Sequence, residues 1–184
     1  FLPGVRLPDT LEATDNLAEA ARGAEAFVFV APAQHARAIG VSLKAEAAPD
    51  APVLLCAKGV EQASGLLLTE VFSEIWPRAR LSALSGPSFA RDVAIGLPTA
   101  VTLACPDAGL GGRWIASLSA PSFRLYLSDD LVGAELGGAV KNVLAIAAGI
   151  VHGKALGASA HAALVTRGFA ELRRFGAAQG ARPE

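Results

Sequence analysis

Apolar and polar positions divide the chain into two parts. Up to about residue 128, short continuous apolar runs alternate with longer stretches that have helical spacing. Continuous runs are typical of strands buried on both faces of a sheet, and alternation with helices favours parallel pairing. The predicted strands span residues 26–31, 53–57, 81–84, 99–104 and 123–127, and the helices between them span about 32–47, 65–76, a short stretch ending near 95, and 109–118.

The pattern after residue 128 predicts helices and no strand. Asp129 and Asp130 precede a long, mostly apolar helical pattern, and acidic residues at that position cap helices. A Gly-rich break at 152–157 separates it from a second helix at about 159–179. We therefore predict an α/β fold followed by an all-α region: residues 1–128 form a mostly parallel sheet domain, and residues 129–184 form the first helices of a helical domain.

Composition and charge exclude several classes of protein. Hydrophobic residues make up 52% of the 184 and charged residues 18%, with a formal net charge of -1, so we expect no nucleic-acid partner. The longest apolar run is about nine residues, against the roughly 20 that a spanning helix needs, so we expect no membrane span. The sequence has no Met and begins with Phe1. We therefore expect that parts of the translated protein are missing from both ends.

Lys141 is the most unusual residue of the long helical pattern. It follows Gly137, Gly138 and two apolar residues, and an ammonium among apolar residues is costly unless it is paired or faces a wet cleft. Desolvation favours the neutral amine of a buried lysine, which suits general-base work. The alternative is a lysine that reaches solvent from an amphipathic helix. The pattern leaves both interpretations open.

Three loops follow predicted strands, and ligands of open parallel sheets bind outside the carboxyl ends of the strands. The loops are residues 31–34, 58–59 and 85–88. Lys58 could hold a phosphate as a point charge, although an exposed loop lysine would have the same pattern. Ser88 and the free N–H groups of the helix that follows it could bind an anion, although ordinary helix caps look alike.

The loop with Ser88 also gives a rival hypothesis. Residues 85–90 half-match the Gly-x-Ser-x-Gly turn, which would make the protein a serine hydrolase with Ser88 as nucleophile and His152 or His161 as base. A matching oxyanion segment is absent from the sequence.

Other candidates are interpreted as structural. Residues 109–114 imitate a dinucleotide fingerprint, but Trp114 replaces the third glycine, and we interpret the segment as a surface turn. Cys56 and Cys105 lie in apolar runs and are interpreted as inert core thiols. The three histidines lack metal-ligand spacing, His35 is interpreted as a helix-surface residue, and no metal site is predicted.

Five segments carry a resemblance to a known family. Each is weak alone, but they occur in the family's order and spacing from about residue 8 to the end. The segments are AKGVE at 57–61, LSGPSFA at 84–90, GLPTA at 96–100, ELGGAVKNV at 135–143 and LVTRGFAE at 164–171. On these segments the chain resembles the bacterial NAD(P)-dependent glycerol-3-phosphate dehydrogenases.

The resemblance implies a Rossmann-like NAD(P)-binding domain, here incomplete, followed by a helical substrate domain, with the active site between them. It implies hydride transfer between NAD or NADP and C2 of sn-glycerol 3-phosphate, with dihydroxyacetone phosphate as the keto partner. It also implies a cytoplasmic homodimer that supplies glycerol phosphate for phospholipid synthesis.

The resemblance assigns residue roles by position. Lys141 is similar to the catalytic lysine, which also binds substrate and exchanges the proton of the C2 hydroxyl. The other assigned positions are contacts: Gly86 and Ser88 with substrate, Lys58 with substrate and cofactor, Ala90 with cofactor, and Asn142 as a polar neighbour of Lys141.

The departures from the family concern loops and ends. His152, Ser159 and His161 stand where the family usually has Asp, Asn and Arg. The Gly-rich pyrophosphate loop and the later phosphate-binding arginine are not in this sequence. We therefore expect the 184 residues alone to be inactive. A third hypothesis is that the chain is a folded, non-catalytic fragment that only associates with partners. This hypothesis predicts that NAD(P)H does not change the melting temperature of the fragment.

Overall fold

The computed structural model describes residues 2–182, which form a five-stranded sheet with helices on both faces. The strands are β1 (Phe27–Phe29), β2 (Pro52–Leu55), β3 (Arg80–Ser85), β4 (Thr99–Ala104) and β5 (Phe123–Ser128). The helices are α1 (Leu17–Ala21), α2 (Ala36–Glu46), α3 (Leu68–Ile75), α4 (Ala90–Ala94), α5 (Ala108–Leu118), α6 (Leu131–Gly153) and α7 (Gly157–Ala178), with a 3₁₀ turn at Ala33–His35. All five predicted strands are confirmed, and the five-residue α1 was not predicted.

The strands pair in chain order, and the pairing decides where the loops lie. The pairs β1–β2, β2–β3 and β4–β5 are parallel, whereas β3 and β4 are antiparallel, with Ser85 opposite Thr102. The prediction of a mostly parallel sheet is confirmed. Because β1, β2 and β3 run the same way, the three candidate loops after them lie at one edge of the sheet, which we call the carboxyl edge.

Burial of both faces explains the continuous apolar runs. In β2, Val53 and Leu55 enter a core formed with α2 and α3, while Leu54 enters a second core formed with β4, β5 and α5. All three residues are almost completely buried. An alternating strand would have left one of these cores without its central contact.

Residues 109–114 are the start of a helix, so their interpretation as a surface turn is wrong. The carboxylate of Asp107 accepts a hydrogen bond from the Leu110 N–H at 3.0 Å and caps α5. Leu110 and Trp114, one turn apart, are buried in the second core, and the Trp114 indole N–H donates to Ser82 Oγ at 3.1 Å. The helix predicted over 109–118 is confirmed.

The long helix α6 begins at its predicted cap. The Asp130 carboxylate accepts from the Gly133 N–H at 2.8 Å. The helix packs against β3 and β4, and α7 packs against α6. The buried residues of α6 are Glu135, Leu136 and Gly138, all in its first third. The contact between the helical part and the sheet is therefore made near the beginning of α6.

By length and composition alone, α6 could cross a membrane. The longest unbroken apolar run in the sequence, about nine residues, did not indicate this. The helix has 23 residues, with a mean hydropathy of 1.5 over its most apolar 18-residue window. Its first third, however, packs on the sheet and buries the Glu135 carboxylate. One helix of this length and composition is weak evidence for a membrane span, and 17% of its most apolar window is buried in the structure.

Candidate active site

Lys58 joins two of the loops at the carboxyl edge. Its ammonium donates a hydrogen bond to the Gly86 carbonyl oxygen at 2.9 Å, and its side chain is half-buried. The loop after β2 is thereby tied to the loop after β3. The alternative of a freely exposed loop lysine is wrong.

Gly86 allows the loop after β3 to lie flat against β4. Its φ is +145°, and a Cβ built there would lie 3.1 Å from Val101 Cα. An L side chain would meet both a disfavoured backbone conformation and the backbone of the neighbouring strand. Glycine at this turn therefore allows Ser85 and Ser88 to lie at the end of the sheet.

Helix α6 reaches the same edge through Gly138. A Cβ on Gly138 would lie 2.8 Å from Ser85 Oγ and 3.3 Å from Lys58 Cγ. Gly137, in contrast, has open space on its Cβ side. The predicted close approach is therefore to the sheet at Gly138, and open volume remains at Gly137.

Lys141 lines a cavity with the loop after β3. The cavity has a volume of about 370 Å³, and its walls include Gly86, Ser88, Phe89 and Lys141. The Lys141 side chain is exposed rather than desolvated, so the expected burial of this ammonium is absent. The helix does turn Lys141 toward the carboxyl edge, but α6 has already left the sheet core one turn earlier.

Burial acts on Lys58 instead. Desolvation lowers the pKa of Lys58, and the positive charge of Lys141 lowers it further. The positive charge of Lys141 therefore acts on Lys58, a residue of an element far away in sequence. A site with two positive charges favours an anionic or electron-rich ligand.

The loop that carries Lys58 is anchored from α2 and the turn before it. The Gln34 amide donates to the Val60 carbonyl at 2.8 Å and accepts from the Gln62 N–H at 2.9 Å. The Arg37 guanidinium donates twice to the buried Glu61 carboxylate, at 2.9 and 2.8 Å. These bonds, with one from Ser64, lower the pKa of Glu61 to about 2. The segment that directly follows Lys58 is thus held in place by side chains of α2 and of the turn before it.

The geometry contradicts the serine hydrolase hypothesis. Ser88 lines the cavity with Lys141, whereas His152 and His161 line a separate cavity. His152 follows Lys141 by 11 residues on α6, a rise of about 16 Å along a helix. Within residues 2–182, Ser88 has no hydrogen bond to a histidine, and a nucleophile needs its base within direct reach.

The remaining sequence candidates are placed as follows. Ala90 is the exposed first residue of α4, and Asn142 is exposed on α6, and its side chain has no hydrogen bond to any described residue. Burial raises the pKa of the Cys56 thiol to about 11, and Cys105 is buried, so both fit the interpretation as unreactive thiols. His35 is exposed, as predicted. Within residues 2–182, no cluster of three or more His, Cys, Asp or Glu side chains could hold a metal.

Sequence reasoning missed one buried polar pair near this site. The Glu135 carboxylate on α6 accepts from the Thr69 N–H at 3.1 Å and from the Thr69 hydroxyl. The signal for Glu135 was present, because it is a charged residue in an apolar helix two positions before Gly137, just as Lys141 is one turn after it. Its partner, 66 residues earlier, gave no local signal.

Comparison with known families agrees with this architecture. A model described as the N-terminus of NAD-dependent glycerol-3-phosphate dehydrogenase matches residues 1–110, and one described as the C-terminus of the same enzyme matches residues 130–184. Curated proteins named glycerol-3-phosphate dehydrogenase [NAD(P)+] are 58% identical over 184 residues in Parvibaculum lavamentivorans and 55% identical in Rhodospirillum rubrum. The alignments cover all of this chain and 55% and 53% of those proteins.

Solved structures show the same similarity. A glycerol-3-phosphate dehydrogenase from Coxiella burnetii aligns with a TM-score of 0.94 at 36% identity, covering 99% of this chain and 56% of that one. The enzyme from Saccharomyces cerevisiae aligns with a TM-score of 0.88 at 29% identity, covering 100% of this chain and 56% of that one. This chain therefore spans about half the length of the curated relatives it matches, and it belongs to the NAD-dependent glycerol-3-phosphate dehydrogenase family.

Proposed function

We propose that the protein carrying this chain is an NAD(P)-dependent sn-glycerol-3-phosphate dehydrogenase that interconverts sn-glycerol 3-phosphate and dihydroxyacetone phosphate. The observation that carries the proposal is the convergence of Lys58 and Lys141 on the loop at residues 85–88. Family membership adds the reaction class. Within this proposal, residues 1–128 belong to the cofactor-binding domain and residues 129–184 to the substrate domain.

The residues at the carboxyl edge fit a dinucleotide cofactor. The rings of NAD(P) need apolar surface, and its phosphates need cations or free N–H groups. Val30, directly after β1, is 70% exposed, and Phe89, directly before α4, is 74% exposed. Lys58 supplies a half-buried cation between them. In this proposal Lys58 and Ala90 contact the cofactor, which supplies hydride transfer to and from C2 of the substrate.

The chain's own residues bind the substrate and move the proton. Lys141 is exposed to the cavity and carries the proton to or from the C2 oxygen, because its helix turns it toward the loop at 85–88. Ser88 offers a hydroxyl, and Gly86 allows the backbone to approach the substrate. Lys58 holds the loop through the Gly86 carbonyl and adds positive charge beside a phosphorylated substrate.

Asn142 is proposed to support Lys141 when further protein or substrate covers it. We also propose a homodimer that works in the cytoplasm and supplies glycerol phosphate for phospholipid synthesis. The support for these proposals is the resemblance of the chain to the family.

The first test is the rate of dihydroxyacetone phosphate reduction by the complete protein with NADH or NADPH. Lys141→Ala should lower kcat by roughly 10²-fold or more, because general acid–base catalysis is lost. The matched control is Lys154→Ala, which removes a lysine from the C-terminal end of the same helix and should leave kcat within about twofold.

Two outcomes would contradict the proposal. A complete protein that shows neither this reduction nor a shift of melting temperature with NAD(P)H would support the non-catalytic alternative. A Lys141→Ala variant with a rate within a fewfold of the unaltered protein would refute the role of Lys141 while leaving the reaction in place.

A further inference from the structure

The Glu135–Thr69 pair differs from the other buried polar groups. Among residues 2–182, the buried polar or charged residues are Glu61, Thr69, Ser82 and Glu135. Glu61 bonds to Arg37 and Ser64, and Ser82 bonds to Trp114, so both are satisfied inside the sheet region. Of these four buried residues, only Thr69 and Glu135 form a hydrogen-bonded pair between the sheet region and α6. It is therefore the buried polar connection between the two parts of the chain.

The pair restricts the rotation of α6 about its axis as well as its distance from α3. Glu135 is 8% exposed, and its two carboxylate oxygens accept from the N–H and the hydroxyl of one residue, Thr69. Thr69 lies in the first turn of α3, where N–H groups lack partners within the helix. A carboxylate that accepts two bonds from one residue is held in position and in rotation.

The same helix row carries the pair and the candidate site. Glu135, Gly138 and Lys141 follow one another at intervals of three residues on α6. Glu135 bonds to α3, Gly138 packs on Ser85 and Lys58, and Lys141 lines the cavity. From Glu135 to Lys141 the helix rises only about 9 Å. A small rotation at Glu135 therefore displaces Lys141 relative to the loop at residues 85–88.

We propose that Glu135 is a positioning residue: its bonds to Thr69 set the rotation and depth of α6, so that Gly138 closes over Lys58 and Lys141 faces the substrate. This inference rests on the proposed function for its kinetic consequence. Its structural consequence, the shielding of Lys58 by α6, holds whatever the substrate is. Misplacement of a reacting group by about 1 Å can cost 10²-fold in rate.

The experiment compares three variants of the complete protein: Glu135→Ala, Glu135→Gln and Glu70→Ala. Glu135→Ala should lower kcat at least tenfold with the KM for NAD(P)H within about threefold, since Lys58 stays bonded to the Gly86 carbonyl and Ala90 lies on α4, away from α6. Glu135→Gln keeps an oxygen for the Thr69 N–H and an amide that can donate to the Thr69 hydroxyl. It should restore kcat to within about threefold.

Glu70→Ala is the matched control. The Glu70 carboxylate accepts from the Leu67 N–H at 2.7 Å at the same end of α3, but it has no hydrogen bond to α6. This variant should leave kcat within about twofold. Equal losses in Glu135→Ala and Glu70→Ala would show that the start of α3, and not the position of α6, was disturbed, and would overturn the proposal.

A second measurement does not depend on activity. Without substrate or cofactor, acetylation of Lys58 by acetic anhydride, followed by mass spectrometry, should be severalfold faster in Glu135→Ala than in the unaltered protein, because Gly138 no longer covers Lys58. Unchanged acetylation overturns the proposal. If the unaltered protein reduces no dihydroxyacetone phosphate, the proposed function fails, while the acetylation result still decides the role of Glu135.

Thr69→Val covers the case in which Glu135→Ala does not fold. It removes the hydroxyl and retains the N–H bond, so the carboxylate keeps one partner. We expect a partial increase in Lys58 acetylation and a smaller loss of kcat than for Glu135→Ala. No change in either quantity would contradict the proposal.

Discussion

The sheet region, residues 27–128, and the helical region, residues 131–178, differ in how far they bury their apolar residues. The strands and helices of the sheet region enclose two cores whose central residues, such as Leu54 and Phe72, are fully buried. The helical region leaves large apolar residues in contact with solvent, among them Ile146 at 66% and Phe169 at 58% exposed.

The difference shows where the candidate site obtains its precision. The sheet region fixes Lys58, Gly86 and Ser88 by itself, because these residues follow strands whose positions are set by buried neighbours. The helical region adds Lys141, whose position depends on the few contacts in the first third of α6. One part of the site is therefore built into a core, and the other is held at a short interface.

The largest expected effect tests the contrast in packing. Phe72→Ala removes a fully buried ring from the core under α3 and should lower the free energy of unfolding by about 3–5 kcal/mol. Phe169→Ala, on α7, should change it by less than about 0.5 kcal/mol, because the ring is largely exposed. Urea unfolding followed by circular dichroism measures both. A loss above about 2 kcal/mol for Phe169→Ala would show that another part of the protein covers α7.

An intermediate effect tests the interface. Gly138→Ala places a methyl group within 2.8 Å of Ser85 Oγ and should lower kcat about tenfold, because α6 must move away from Lys58. Gly149→Ala is the control on the same helix, since a Cβ there has open space. Both changes bring the same gain in helix propensity. Similar rates in the two variants would mean that contact at Gly138 does not position Lys141.

The smallest effect concerns two buried carboxylates that should respond to pH with opposite signs. Bonds from Arg37 and Ser64 lower the pKa of Glu61 from its ordinary 4.5 to about 2. Its contribution to stability is therefore present above pH 4.5 and is lost as the pH falls toward 2. The stability advantage of the unaltered protein over Glu61→Gln should shrink across that range, as measured by urea unfolding.

Glu135 should behave in the reverse direction. Burial raises its pKa above 4.5 and outweighs the bonds from Thr69, and the nearby Glu70 carboxylate raises it further. The folded protein then binds more protons than the unfolded chain, so stability falls as the pH rises through the folded pKa of Glu135. The free energy of unfolding of the unaltered protein minus that of Glu135→Gln should be smaller at pH 7 than near pH 4.5. An advantage that grows with pH would contradict the cause given for this pKa.

Much of this molecule follows from local sequence. Continuous apolar runs predicted all five strands, and Asp130 predicted the start of α6, because burial pattern and capping depend on neighbouring residues. The same reasoning placed three loops at the ends of parallel strands and so indicated Lys58, Gly86 and Ser88. The order of the motifs identified the family.

Tertiary structure decided which charged groups are buried. The sequence pattern around Lys141 and around Glu135 is the same, a charged residue in an apolar helix, yet Lys141 is exposed and Glu135 is buried against Thr69. The direction of β4 was likewise not predicted from local residues. Desolvation and strand direction depend on contacts between residues distant in the chain, such as the 66 positions that separate Thr69 from Glu135, and a local pattern of apolar and polar residues does not encode such contacts.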